Sequence, residues 1–450
     1  MALTMEKLRN SGGQNARVVF LVWPEPGHAL PAVSLAKSLV RRGRGVLFLS
    51  WDTALPAIRA NGLEAVDIFE CAGLSEDRER WKAAGGWSER LLDARGDAIL
   101  GAIRGIDHGL VLLDSLLWRV TLFLTRYSIP CAHLSTSLPD EFDSNVFPWS
   151  CTRAPNGSRL AGRVARHLEW ERVRLLTWLK YRLNLPIAVD TLDLSDVTKL
   201  LKQAEWPTGW CEPRAFHKPA LGVPEFVLCP RAFELPEKRP RPYRYYVESG
   251  VDLTRHEDTI DFESTLGDPR PLVLAALGSQ VNRYEKAREL LEIVAAVARN
   301  LNEFLFVFAV GDSPVSDIDF PKNVAVHKSV PQLALLKRAS AMITHGGLGS
   351  AKECITLGVP MCVLPLKWDQ PSVGARVEHH GLGMCLRGQQ VTVTSVTEAV
   401  RRLINNPQFR LRARLMGQEF LKVDQEAPGA RLIDALSGRR DAMRMVKEST

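Results

Sequence analysis

The stretch from His345 to Gln370 gathers side chains that could hold a phosphorylated sugar. A short apolar run stops at Thr344, and His345, Gly346 and Gly347 then lead into a helical pattern. The first N–H groups of a helix have no partner within it, and the helix dipole is positive at that end, so an anion such as a diphosphate is favoured there. The glycines let a phosphate approach the backbone. Ser350 lies in the first turn, where its hydroxyl can donate to a phosphate oxygen. Glu353 follows on the same face, where a carboxylate could accept two ribose hydroxyls. Gly358-Val359-Pro360 closes the helix, and the next strand delivers Asp369 and Gln370, a carboxylate beside an amide that suits adjacent sugar hydroxyls. Together these residues fit a nucleotide sugar.

Such residues must be carried by a scaffold of strands and helices. Ala16–Trp23 is a β-branched apolar run that ends in a Pro/Gly turn, and Leu30–Arg42 is helix-like with Gly43 just beyond it. Strands are expected again at Gly45–Ser50, Leu110–Asp114 and Pro130–Leu134, with a helix from Leu116 to Tyr127. After a basic helical segment from Ser158 to Leu185 and a Pro/Arg-rich connection at 235–250, alternation resumes. Strands are expected there at Leu272–Ala276, Phe304–Val310, Val324–His327, Ser340–Thr344 and Met361–Pro365. Alternating strands and helices imply an α/β fold with parallel sheets covered on both faces. Two lobes are expected, 1–240 and 241–425, with a last helical segment, 426–450, that returns to brace the first lobe.

Length and composition agree. A chain of 450 residues is too long for one ordinary core, and 46% hydrophobic with 24% charged residues is globular composition. The net charge of +7 suits an anionic ligand, but basic residues are dispersed and no nucleic-acid recognition motif is present. Eight scattered cysteines without a Cys-x-x-Cys pair point to a reducing compartment and no structural metal. The opening residues lack a signal-peptide core and no apolar run is long enough to span a bilayer, so a cytoplasmic protein is expected.

At the residues just described the chain resembles the family 1, UDP-glycosyltransferase-like enzymes of GT-B fold, of the bacterial natural-product or macrolide type. The shared features are the His-Gly-Gly turn at His345, Ser350 and Glu353, the Gly-x-Pro at Gly358, and Asp369-Gln370. Pro331-Gln332 and the Leu277-Gly278-Ser279 turn extend the match, and the first lobe adds Pro24-Glu25-Pro26-Gly27-His28 with Pro31. The resemblance implies two Rossmann-like doubly wound domains facing a central cleft. It implies roles for Gly278, Ser279, His345, Gly346, Gly347 and Ser350 near the diphosphate, Gln332 and Glu353 near the nucleoside, and Asp369 with Gln370 on the sugar. Ser329 stands where the family often carries an aromatic residue to stack on the base, and Gly349 where plant members usually have Asn. A UDP-sugar, with glucose the first expectation, is favoured over a dTDP-sugar; no cofactor and no metal are implied.

The same resemblance points to His28 as the base that removes the acceptor proton and to Asp114 as the group behind it, the alternative being that Asp114 merely caps the helix that follows. Inverting transfer of a hexose to a hydroxyl of a small lipophilic or aromatic metabolite is the expected reaction. A sugar-nucleotide epimerase and a catalytically silent nucleotide-sugar-binding partner protein are the alternatives. His133 is a candidate for the acceptor pocket, and Trp170, Trp178, Trp206 and Trp210 would suit an aromatic acceptor. In the 158–185 segment, Leu160, Val164, Leu168, Leu175, Leu179 and Leu183 recur at near-helical spacing among seven Arg/Lys and two Glu. That stripe is expected to face the core, with a pocket wall or a peripheral membrane contact as the other readings.

Overall fold

The computed structural model describes residues 16–84, 91–92, 94–139, 142–143, 146, 148, 159–182, 194–207, 220–236, 238–257, 267–278, 281, 286–313 and 315–437. Two wholly parallel sheets organise them. The first comprises β1 (Arg17–Leu21), β2 (Val46–Ser50), β3 (Ala65–Asp67), β4 (His108–Asp114), β5 (Cys131–Ser135), β6 (Glu225–Val227) and β7 (Arg244–Tyr246), in the order β3-β2-β1-β4-β5-β6-β7. The second comprises β8 (Leu272–Ala276), β9 (Leu305–Ala309), β10 (Val324–His327), β11 (Ala339–Thr344), β12 (Met361–Val363) and β13 (Gly383–Cys385), in the order β10-β9-β8-β11-β12-β13.

The central strands are largely apolar because helices cover both faces of each sheet. Alternation divides them: Val18 and Phe20 belong to one core cluster, Val19 and Leu21 to the cluster on the opposite face. In the second lobe Leu272 and Leu274 part in the same way from Val273 and Ala275. Each strand order reverses once, between β1 and β4 and between β8 and β11. At such reversals the loops beyond the carboxyl ends of adjacent strands diverge and leave a crevice for ligands.

The expected boundary after residue 240 does not coincide with sheet membership, since β7, at Arg244–Tyr246, completes the first sheet. The Pro/Arg-rich stretch therefore contains a strand as well as a connection. The lobes are joined by buried polar contacts. Lys352 donates to the Leu228 carbonyl at 2.6 Å, and Arg376 pairs with Glu234, whose other oxygen accepts the Tyr246 hydroxyl at 2.9 Å. The helix Pro428–Ser437 returns to the first lobe, with Ala430 and Ile433 in its core cluster.

The helix Arg159–Arg182 forms as expected, but its apolar stripe does not face the core. Val164, Leu168, Leu175 and Leu179 are exposed, Leu168 at 61%, while Trp170 and Val173 supply the buried side. Spacing alone points the stripe inward, but the larger Trp170 ring takes the buried side, with its Nε1 donating to the Val146 carbonyl.

Candidate functional site

The turn after β1 enters the helix Pro26–Arg41, with Pro26 in its first turn and His28 directly behind it. Proline suits this place because its fixed φ is helical and its missing N–H would lack an intrahelical partner. β1 and β4 are neighbours at the reversal of the first sheet, so the turn after β1 meets the end of β4. His28 Nδ1 lies 2.7 Å from Asp114 Oδ2 and 2.9 Å from the Thr136 hydroxyl. Asp114 is 1% exposed, and its Oδ1 accepts the Leu116 N–H at 3.0 Å, so the carboxylate both caps the following turn and holds the histidine. With Nδ1 turned to Asp114, Nε2 is the nitrogen left for a substrate. Burial works to lower the His28 pKa, but the charge and hydrogen bond of Asp114, helped by Glu25 and Asp369, leave it above its usual value.

The second sheet repeats the plan at β8 and β11. Gly278 follows β8 with φ +90°, and His345 follows β11. A Cβ at Gly278 or at Gly347 would fall 2.7 Å from His345 Nε2, so both glycines make room for the imidazole itself. Burial depresses the His345 pKa to about 4, with the Ala276 carbonyl offsetting part of the effect, and the ring is neutral at pH 7. Its Nδ1 is buried without a hydrogen-bond partner among the described residues. Gly346, φ +87°, lets the chain pass Val363, and the helix proper starts at Leu348. Ser279 lies outside the described residues.

Glu353 is enclosed by partners. Gln332 Nε2 donates to its Oε2 at 2.7 Å and also reaches Ser350 Oγ at 3.2 Å, while Arg255 pairs with its Oε1. Arg255 also contacts Glu257 at 2.8 Å, and Glu257 accepts the backbone N–H of Leu333 at 3.0 Å. On the neighbouring loop Gln370 is 2% exposed, and its side-chain oxygen accepts the N–H groups of Leu366 and Lys367 at 2.7 and 2.8 Å. Its oxygen thus fixes the loop, and Asp369 is the side chain that loop presents. The residue before it, Trp368, has φ +59°, a costly conformation for a non-glycine residue that the Gln370 contacts help to hold. Burial raises the Asp369 pKa to about 6, against the opposing charges of His28 and Arg376. Asp369 and His28 feel each other's charge across the two lobes.

Two expectations change. His133 is 3% exposed and bonded to the Thr121 hydroxyl at 2.8 Å, because its strand position points it into the helix Trp118–Arg126 and not toward an acceptor. Trp170 and Trp206 are buried among core neighbours, and the Trp178 side chain and Trp210 lie outside the described residues. The aromatic side chain beside the histidine is instead Trp23, its ring 6.3 Å from that of His28. The chain also contains one Asp-x-Asp triplet, Asp317-Ile318-Asp319, a spacing common in metal-dependent glycosyltransferases; both carboxylates are exposed and pair with Arg288 and Arg299. Among the described residues no cluster of three metal-ligating side chains occurs, and no helix is long and apolar enough to cross a membrane.

Sequence reasoning missed Thr136, Trp23 and Arg255. Thr136 could have been found as a hydroxyl just beyond a parallel strand adjacent to β4. Arg255 had no periodic or motif context to mark it.

Residues 292–428 match the family described as erythromycin biosynthesis protein CIII-like, C-terminal domain. The oleandomycin glycosyltransferase of Streptomyces antibioticus is 29% identical over 425 residues, covering 91% of this chain and 88% of that one. The NDP-glycosyltransferase YjiC of Bacillus subtilis (strain 168) is 29% identical over 215 residues, 47% of this chain, and the match spans 52% of YjiC. Among solved structures, the glycotransferase of kitacinnamycin superposes with a TM-score of 0.66 at 20% identity, covering 94% of this chain and 99% of that one. The shared fold is GT-B.

Proposed function

We propose that this chain, a family 1 GT-B glycosyltransferase of the bacterial natural-product type, moves a hexose from a nucleoside diphosphate to a hydroxyl of a small lipophilic or aromatic metabolite, with inversion and without a metal. The observation that carries the reading is the 2.7 Å contact between His28 and Asp114 at one sheet reversal, with the glycine-bounded His345 at the other.

In this reading the acceptor hydroxyl approaches His28 Nε2 and gives up its proton as its oxygen bonds to the anomeric carbon. The bond from that carbon to the diphosphate breaks, and the diphosphate leaves with the electron pair. Asp114 stabilises the imidazolium that forms. The backbone around Gly346 and Gly347 and the hydroxyl of Ser350 receive the departing charge, with His345 neutral and not a cation. Asp369 takes the sugar hydroxyls, Glu353 and Gln332 the nucleoside. Trp23 beside His28 suits an acceptor with an apolar or aromatic face.

The test is incubation with UDP- and dTDP-hexoses and a panel of aromatic and macrolide alcohols, with the product's anomeric configuration read by NMR. Release of nucleoside diphosphate that depends on acceptor, with an inverted product, is expected. An altered nucleotide sugar formed without acceptor would favour the epimerase.

A further inference from the structure

We infer that Arg255 sets which nucleoside the donor pocket takes: by holding one oxygen of Glu353 in an ion pair it leaves the other as the better acceptor for the pentose, which suits a 2′-deoxyribose better than a ribose. The inference rests on Glu353 being the nucleoside contact proposed above.

A ribose grips a carboxylate through its two vicinal hydroxyls, one to each oxygen. In this chain the two oxygens differ. Oε2 is met by the Gln332 amide at 2.7 Å, a neutral group that can rotate aside and already has Ser350 Oγ as a second partner at 3.2 Å. Oε1 is met by Arg255, whose guanidinium stays charged at every physiological pH. Arg255 is not free to leave. Its side chain is 12% exposed against 9% for Glu353, and its other end is fastened to Glu257, which is in turn held by the backbone N–H groups of Leu333 and Ala334. Drawing Arg255 off Glu353 would strand a buried carboxylate, which is costly. A single hydroxyl can replace Gln332 on Oε2 at little expense, whereas a second must compete with a guanidinium. A buried hydroxyl without an acceptor weakens binding by roughly tenfold.

Uridine diphosphate and 2′-deoxyuridine diphosphate differ only in that hydroxyl, and calorimetric titration of the full chain with each isolates it. The wild-type protein is expected to bind the deoxy form at least as tightly as the ribo form, and Arg255→Met is expected to shift the ratio toward the ribo form by about tenfold. A wild-type preference of about tenfold or more for uridine diphosphate overturns the inference, as does an Arg255→Met ratio equal to wild type. The wild-type comparison stands alone if the variant does not fold. Binding of neither nucleotide would overturn the donor-site reading together with it.

Discussion

One carboxylate serves two partners: Asp114 Oδ2 faces His28 Nδ1 at 2.7 Å while Oδ1 accepts the Leu116 N–H at 3.0 Å. The cap fixes the carboxylate in place, and the fixed carboxylate orients the imidazole. Asp114→Asn keeps an oxygen for the cap but removes the charge behind His28. A fall in kcat of about 100-fold or more is expected, with thermal stability close to wild type. Unchanged kcat would reduce Asp114 to its capping role.

The pH profile follows from the same pair. A base acts when neutral, and Asp114 holds His28 protonated to higher pH than usual, so the acid limb of kcat/KM is expected above pH ~6.5. In Asp114→Asn burial prevails and the limb moves to lower pH. For stability the sign is opposite: the raised His28 value favours the folded state fully below pH ~6.5, and the gain is lost as pH rises through the folded value. Stability curves of wild type and His28→Gln recorded from pH 5 to 9 should converge at the alkaline end.

Asp369 gives a second pH effect, on a different parameter. Its carboxyl titrates near 6, so a donor that needs the carboxylate should show a rising KM as pH falls through about 6. In Asp369→Asn that dependence should vanish while KM stays high throughout. A wild-type donor KM flat from pH 5 to 8 would contradict the sugar-binding role.

Gly278→Ala puts a methyl group 2.7 Å from His345 Nε2 on a backbone with φ +90°. A loss of about 1–3 kcal/mol in urea unfolding is expected, with weaker binding of nucleoside diphosphate. The same change at Gly349, where a Cβ meets nothing within 4 Å, is the control and should be nearly silent.

The exposed stripe on the helix Arg159–Arg182 can be tested against the core reading of that segment. Leu168→Gln should alter stability by less than about 0.5 kcal/mol if the side chain stands in solvent. A loss of about 2 kcal/mol or more would return it to a core.

Much of the second lobe was legible in the sequence. β8 and β10 fall on the expected residues, and the others expected there shift by a residue or two at their ends, because long apolar runs between glycine and proline breaks leave little choice. The short strands β3, β6, β7 and β13 were not foreseen. Three residues, such as Ala65–Asp67, are too few to set a period, and pairing with a neighbour already in place defines them. The helices Val393–Asn405 and Pro407–Glu426 are separate because Asn406 caps the second through the Gln408 N–H. At the site, residue types were readable and partners were not. The Gln370 amide is readable, but not that its oxygen holds Leu366 and Lys367, and His133 looks accessible until its strand face is known. Glu353 was legible as a carboxylate, but its partner Arg255, almost a hundred residues earlier in the chain, was not.

The returning helix Pro428–Ser437 has a consequence for how the chain is made. Ala430 and Ile433 lie in the same cluster as Val18 and Leu110, and Asp434 takes Arg42 across 392 residues of sequence. The first lobe thus lacks part of its interior until the second has been synthesised. Its final closure is a late event of very high contact order, and a fragment ending at the second lobe's boundary would present an apolar groove where that helix belongs.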